Sequence, residues 1–263
     1  MRRVVVKVGG HALDSLRPNA PVLVDLAQDL TGFVASGTQC AIVHGGGPQI
    51  GELLDSVGVA SRFVDGLRVT DTVTMMYVAM ALQHVNLLIT ASLAQSGVAS
   101  VGINGGDGGL FRSTSLGEPW KRAGATPSVR TGIIETLWGG ELTPVISPFA
   151  LDEDGELLNC NADSSAGALA GALNADVLVM LSDIDQLRSD VDDPSTALAK
   201  VTGAQIEELV ASGAARDGMR PKLVAALDAL GAGASRILLA NGKRPHALRD
   251  AIEGRIPTTE VVK

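Results

Sequence analysis

Six short segments carry the residue types that phosphate or carboxylate chemistry needs. The first is Val4-Val5-Val6-Lys7-Val8-Gly9-Gly10. A β-branched run this short reads as a strand buried on both faces, as in a parallel sheet. A lysine inside it is costly, because a buried ammonium without a partner loses its hydration. The cost is avoided if Lys7 lies near the carboxyl end of the strand and its head reaches a crevice, where open α/β sheets bind ligands. Gly9 and Gly10 would then let backbone approach that ligand with no Cβ in the way. The plainer alternative is a surface lysine at a strand end.

The second segment is His44-Gly45-Gly46-Gly47-Pro48. Three glycines free backbone N–H groups to face a ligand, and Pro48 suits the first turn of a helix whose N-terminus adds partial positive charge. An anionic group belongs there, although an ordinary strand-to-helix turn has similar ingredients. The third, Asn159-Cys160-Asn161-Ala162-Asp163, places two amides and a carboxylate within reach of a polar substrate. Asp163 between two ammonium groups would favour their charged forms; it is equally an N-cap candidate for the next helix. The fourth is Ser182-Asp183-Ile184-Asp185. The fifth, Asp217-Gly218-Met219-Arg220-Pro221-Lys222, enters a helix, and on its own Lys222 reads as a solvated helix residue. The sixth, Gly66-Leu67-Arg68-Val69-Thr70-Asp71, offers a guanidinium for bidentate capture of a carboxylate.

The elements that must position these residues follow from hydrophobic periodicity. Strands are expected at Val4–Val8, Gln39–Val43, Ala99–Ile103, Thr143–Ser147, Val177–Leu181 and Arg236–Ala240, alternating with helices at Ala20–Ser36, Pro48–Val57, Thr70–Ser96, Asp163–Leu173, Thr202–Ser212, Pro221–Leu230 and His246–Glu253. Thr70-Asp71 and Thr202 read as caps. This alternation predicts an α/β fold, a largely parallel sheet with helices on both faces. Phe111–Arg130, with Arg112, Lys121, Arg122 and Arg130 among Gly, Pro and Ser, reads as a β-hairpin or mobile flap. Asp152–Gly155 reads as a hairpin turn and Ser189–Lys200 as an acidic surface loop.

Composition narrows the function classes. The 263 residues are 46% hydrophobic but only 3% aromatic, so the core must be aliphatic. A net charge of −8 disfavours non-specific binding to nucleic acid or acidic membranes. Cys40 and Cys160 form no metal-like cluster, and Cys40 reads as a small buried hydrophobe. No signal peptide is evident, no apolar run looks long enough to span a bilayer, and a soluble cytoplasmic protein is expected. Neither a Walker A pattern nor a dinucleotide fingerprint is present, which argues against a Rossmann-type dehydrogenase.

In order and spacing, Lys7-Val-Gly-Gly, His44-Gly-Gly-Gly, Gly66-Leu-Arg-Val-Thr-Asp71, Asn159-x-Asn-Ala-Asp163, Leu181-Ser-Asp183 and Asp217-Gly-Met-x-x-Lys222 resemble the amino acid kinase family, most closely its N-acetylglutamate kinases. The resemblance covers essentially the whole chain. It implies a three-layer αβα sandwich with an N-terminal lobe, 1–173, for the acyl amino acid and dimerisation, and a C-terminal lobe, 174–263, for ATP. It also implies transfer of the γ-phosphoryl of ATP, with Mg2+ held by the nucleotide phosphates, to a side-chain carboxylate. Lys7 and Lys222 would flank the phosphoryl, with Asp163 holding them. Gly45, Gly46, Gly47, Arg68, Asn159 and Asn161 would serve the acyl amino acid. Gly9, Gly10, Ser182, Asp183, Asp185, Leu187, Arg188, Ala214, Arg216, Gly218 and Met219 would serve the nucleotide.

The chain departs from the pattern of those kinases in places. Gly106-Asp107-Gly108 and Val85-Asn86-Leu87 lack lysines usual there, and only Arg62 remains of the basic residues before Arg68. The ending from Ile252 to Lys263 also differs. These features resemble the related kinases that act on glutamate or α-aminoadipate attached to a small acidic amino-group carrier protein, for which Arg62, Lys121, Arg122 and Arg130 would form a basic rim. No helical extension precedes Val4, so a homodimer without arginine inhibition is expected. A non-catalytic nucleotide-binding regulatory module is a third reading, against which Lys7, Asp163 and Lys222 stand together.

Overall fold

Strand β1 (Arg3–Val8) runs through the interior of an eight-stranded, mainly parallel sheet in a computed structural model that describes residues 2–13, 17, 20–190, 192–211 and 219–262. The other strands of this sheet are β2 (Gln39–His44), β3 (Ser100–Asn104), β4 (Thr143–Ser147), β5 (Val177–Ser182), β6 (Lys200–Thr202), β7 (Ile237–Asn241) and β8 (Thr258–Val262). Their spatial order is β6-β8-β7-β5-β1-β2-β4-β3. Only the β7–β8 pairing is antiparallel. β1 pairs in parallel with β2 on one side and β5 on the other, so the chain order reverses at β1. A crevice forms beyond the carboxyl ends of strands at such a switch point.

The period of two along β1 divides its side chains between two cores. Val4, Val6 and Val8 pack with α1 (Pro21–Ala35), α3 (Thr72–Gln95) and α8 (Ala247–Ile252). Val5 faces the opposite core, formed with α4 (Gly132–Gly139), α5 (Ala162–Ala172), α6 (Gly203–Ala211) and α7 (Met219–Gly231). Lys7 shares the Val5 face by alternation and so lies under α5. The result is the expected αβα sandwich, with a core dominated by Val, Leu, Ile and Ala. α2 (Gly47–Ser56) packs beside α3 at the carboxyl end of β2.

The six anticipated main-sheet strands and seven anticipated helices are present, with ends shifted by a residue or two. Asp71 caps α3 by accepting the Thr74 N–H at 2.8 Å. Thr202 and Gln205 form a capping box on α6, Gln205 Oε1 accepting from Thr202 N and Thr202 Oγ1 from Gln205 N. Two expectations change. α5 is capped by Asn161, whose Oδ1 accepts from the N–H groups of Asp163 and Ser164, so the Asp163 carboxylate is left for other work. α3 is long and apolar enough to meet the length and composition of a membrane span, contrary to the reading that no such run exists. One face of it packs on the sheet, and Asn86 hydrogen-bonds strand carbonyls there, as befits a core helix.

Phe111–Arg130 forms short strands, among them the expected β-hairpin of Ser115–Gly117 against Lys121–Gly124. They join a six-stranded sheet with the Phe149–Leu151 and Leu157–Cys160 hairpin, which turns at Asp152–Gly155 as expected. This sheet is stitched to the chain before α3: Arg122 N donates to Thr70 O, and Thr70 N to Trp120 O. α4 was not foreseen; Trp138 pins it by donating its indole N–H to Cys40 O at 2.8 Å. Asp190, Asp192 and Asp193 are exposed, as expected of an acidic surface loop, but within Ser189–Lys200, Ala197–Leu198 pairs antiparallel with Leu187–Arg188 and Lys200 begins β6.

Candidate active site

Lys7 and Lys222 converge on Asp163. Lys7 Nζ is 2.7 Å from Asp163 Oδ1, and Lys222 Nζ is 3.8 Å from Oδ2. Lys7 comes from β1, Asp163 from the first turn of α5 and Lys222 from the first turns of α7. Burial pulls the Lys7 pKa below 10.5; Asp163 opposes that shift and the Lys222 charge adds to it. A carboxylate at this point keeps two like charges together that would otherwise repel.

The small residues of α5 explain how the two helices come so close. A Cβ on Gly167 would stand 2.6 Å from Ala225 O, and one on Gly171 would stand 2.3 Å from Ala232 Cβ. Glycine at these two positions lets α7, and Ala232 just after it, pack closely on the α5 backbone, which brings the start of α7 over Asp163. The Ala- and Gly-rich composition of this helix is therefore a positioning device.

Two further backbone segments face the same cleft. Gly9 N donates to Leu181 O, joining β1 to β5, and Gly45 N donates to Val8 O, joining β2 to β1. A Cβ on Gly10 would lie 2.9 Å from Gly47 N and 3.3 Å from Gly46 N. Glycine at position 10 thus lets this turn pack directly on the Gly46–Gly47–Pro48 backbone, and these residues together line the cleft. Gly46 is the N-cap residue of α2, so the cleft here lies at a helix N-terminus, a favourable place for an anion.

The cleft encloses about 270 Å³ between Gly10, the Gly45–Gly47 loop, Arg68 and Asn159–Asp163. Arg68 is held there by donating to Gly47 O at 3.1 Å and to Ser61 Oγ. Its guanidinium lies 4.6 Å from the Phe63 ring centroid. Burial lowers its pKa, with Asp55 opposing. Asn159 Nδ2 donates to Thr70 Oγ1 at 3.1 Å. Phe63 and Ser61 were not singled out from sequence. The signal was Asp65-Gly66, a two-residue type I′ hairpin turn with both residues at positive φ, which sets Phe63 opposite Arg68.

The remaining sequence candidates scatter more. Ser182 is buried at the end of β5 and Asp183 follows it, exposed and close enough to influence Lys7. Asp185 Oδ1 accepts from Arg244 Nε at 2.6 Å and from Asn241 Nδ2 at 3.1 Å. Leu187 packs in the core and donates its N–H to Thr259 Oγ1, while Arg188 is exposed. Met219 is partly buried at the start of α7. Ala214, Arg216 and Gly218 lie outside the described residues, as does Asp217. Cys160 lines the cleft wall, but burial pushes its thiol pKa up to about 12.

Known proteins share this plan. The model of the amino acid kinase family matches residues 2–241. An acetylglutamate kinase of Rubrobacter xylanophilus is 42% identical over 255 residues, 97% of this chain and 94% of that protein. One of Deinococcus radiodurans is 40% identical over 255 residues, 97% of this chain and 98% of that protein. Among solved structures, a carbamate kinase from Giardia lamblia bound to AMP-PNP superposes with a TM-score of 0.71 at 18% identity, covering 100% of this chain and 98% of that one, a likeness of fold.

Proposed function

The chain belongs to the amino acid kinase family, and we propose that it transfers the γ-phosphoryl of ATP to the side-chain carboxylate of N-acetylglutamate or a close N-acylated analogue. The product is an acyl phosphate. The observation that carries this reading is the Lys7–Asp163–Lys222 cluster at the rim of a cleft that also holds the glycine loop and Arg68.

The chemistry asks little of the protein beyond position and charge. A carboxylate is ionised at neutral pH and is itself the nucleophile, so no general base is needed. Its oxygen bonds to the γ-phosphorus as the bond to the β–γ bridging oxygen breaks, and ADP leaves with that electron pair. Phosphoryl transfer of this kind depends on alignment and neutralisation of spread negative charge. Lys7 and Lys222 supply two positive charges, and Asp163 keeps them adjacent. The Gly46 and Gly47 amides supply dipoles at the α2 N-terminus. Arg68, fixed by Gly47 O and Ser61, takes the substrate α-carboxylate, and Asn159 its amide. Mg2+ held by the nucleotide phosphates would add further charge neutralisation beside Lys7 and Lys222.

In this reading residues 1–173 bind the acyl amino acid and residues 174–263 the nucleotide, with Ser182–Arg188 alongside the adenosine. The protein is cytoplasmic and a homodimer, joined through the outer face of α3. That face exposes Val73, Met76, Met80 and Leu87, and the helix carries no charged residue. A carrier-bound substrate would call for an unencumbered basic rim, yet Arg122 is engaged by Glu156 Oε2 at 2.7 Å, which favours a free amino acid.

Hydroxylamine trapping with MgATP tests the proposal. Hydroxamate should form with free N-acetylglutamate or a near analogue. Hydroxamate only from carrier-bound glutamate or aminoadipate would replace the substrate, and none from any acid would end the kinase reading.

A further inference from the structure

Beneath the glycine loop lies a buried hydrogen-bonded cluster that the phosphoryl-transfer chemistry does not use directly. His44, the last residue of β2, is completely buried. Its Nδ1 is 2.9 Å from Gly45 O, and its Nε2 is 3.1 Å from Ser147 Oγ and 3.2 Å from Asn86 Nδ2. Asn86 reaches in from α3 and also donates to Val145 O at 2.9 Å. The polar groups present fix the ring's tautomer. A carbonyl oxygen only accepts, so Nδ1 must carry the proton. A neutral imidazole has one ring proton, so Nε2 is then bare and faces the Asn86 NH2 as an acceptor.

That bond has a consequence one peptide further on. Carbonyl and N–H point in opposite directions across a trans peptide plane. Holding Gly45 C=O against the His44 ring turns the Gly46 N–H the other way. Gly46 N lies toward Gly10, and Gly10, Gly46 and Gly47 line the cleft together, which puts the Gly46 N–H on the cleft side. Among the described residues no acceptor takes the Gly46 N–H. It is aimed at whatever anion enters.

We propose that His44 is a positioning residue, a latch whose Nδ1–H holds the Gly45–Gly46 peptide so that the Gly46 amide faces the transferring phosphoryl. The inference rests on the kinase reading for the identity of the anion, but not for the orientation of the peptide. Without the latch the peptide is free to rotate and present a carbonyl oxygen, which repels phosphate. Asn86 acts one step back, its amide NH2 facing Nε2 so that this nitrogen is kept as an acceptor and the proton stays on Nδ1.

The test separates the two ring nitrogens. Asn places its amide nitrogen where Nδ1 stands; Gln places its own where Nε2 stands. His44→Asn should therefore retain kcat within a few-fold. His44→Gln and His44→Leu should lose about 10-fold or more in kcat, with little change in KM for the acyl acid. A merely structural histidine would lower melting temperature in all three and favour none of them in kcat. Equal kcat for Asn and Gln, or wild-type kcat for Leu, would overturn the proposal. A measurement on the wild-type protein does not depend on variant folding: ring 15N shifts should report a neutral, Nδ1-protonated tautomer. An Nε2-protonated ring would also overturn it. If the wild type phosphorylates no acid, the functional reading fails on its own. The latch is then judged by the Gly46 amide resonance, which MgAMP-PNP should shift in wild type and His44→Asn but not in His44→Gln. An unmoved wild-type resonance would refute it.

Discussion

Asp163 Oδ1 lies 2.7 Å from Lys7 Nζ at a point where both side chains are almost wholly shielded from water. Such a contact holds a cation that burial would otherwise discharge, and it explains how a lysine tolerates the middle of a sheet. Lys7→Ala should lower kcat by about 10²–10³, as should Lys222→Ala, the range typical of losing one donor to a transition-state charge. Asp163→Ala should in addition destabilise the fold by about 3 kcal/mol, because two cations are left facing each other. Because burial draws the Lys7 pKa below 10.5, activity should fall on the alkaline side before ordinary lysines titrate, as the ammonium loses its proton and its charge. Wild-type turnover in either lysine variant would remove that residue from the mechanism.

The approach of α7 to α5 makes a second prediction. Gly167 stands where a Cβ would meet Ala225 O at 2.6 Å. Gly167→Leu should force the helices apart and carry Lys222 away from Asp163, with Lys7 undisturbed. A loss of roughly 1–3 kcal/mol in stability is the ordinary result of overpacking. The informative quantity is kcat below the unfolding transition, which should fall toward that of Lys222→Ala. A folded variant with unchanged kcat would show that the close helix contact does not set the lysine's position.

What could be read from the chain before folding divides along physical lines. β1, β2, β4, β5 and β7 announce themselves because each is a short, mainly aliphatic run that is almost wholly buried, whereas β6 and β8 escaped because their sequences are more polar and their residues partly exposed. The candidate site residues stood out where glycine or a misplaced charge broke such an aliphatic run, as at Lys7, Gly45–Gly47 and Arg68. Asp163 was ambiguous because Asn161, two residues earlier, offers the same capping chemistry, and only the hydrogen-bond geometry assigns the cap. α4 escaped because Gly132–Gly139 is bounded by glycine and carries few periodic residues. The His44 cluster was invisible because its members are far apart in sequence and meet only when α3 crosses the sheet. Nothing local marks Ser147 or Asn86 as its partners.

His44 also predicts how the fold responds to acid. Burial pushes its native pKa down from 6.5 to about 4. Between those values an unfolded chain binds a proton that the native ring refuses, so stability rises with pH across the window and is lost as pH falls through it. The full contribution is about 3 kcal/mol. Asp29 acts in the opposite sense: burial raises its pKa, so its contribution declines as pH rises through the window between its unfolded and folded values. The difference between wild type and His44→Asn isolates the histidine. Urea midpoints measured from pH 7 down to pH 4.5 should converge as the wild type weakens faster. Parallel curves would mean that the ring takes up protons in the native state.

The outer face of α3 leads to the last prediction, which concerns assembly. Val73, Met76, Met80 and Leu87 follow the helical repeat, and each is more than half exposed at 55%, 52%, 55% and 65%. Four large apolar side chains on one uncharged helix are costly to leave in water, and a contiguous patch of this kind marks an interface. A second copy of the same helix crossing it would cover the stripe by an isologous contact, the commonest symmetric solution. The wild type should therefore sediment as a dimer at micromolar concentration. Met80→Lys together with Leu87→Lys should give monomers, since two like charges would face their own copies across the axis. The monomer should keep most of its kcat, because the Lys7–Asp163–Lys222 cluster is built within one chain, while its melting temperature should fall with the lost burial. A wild-type monomer at all concentrations would leave the stripe without this partner.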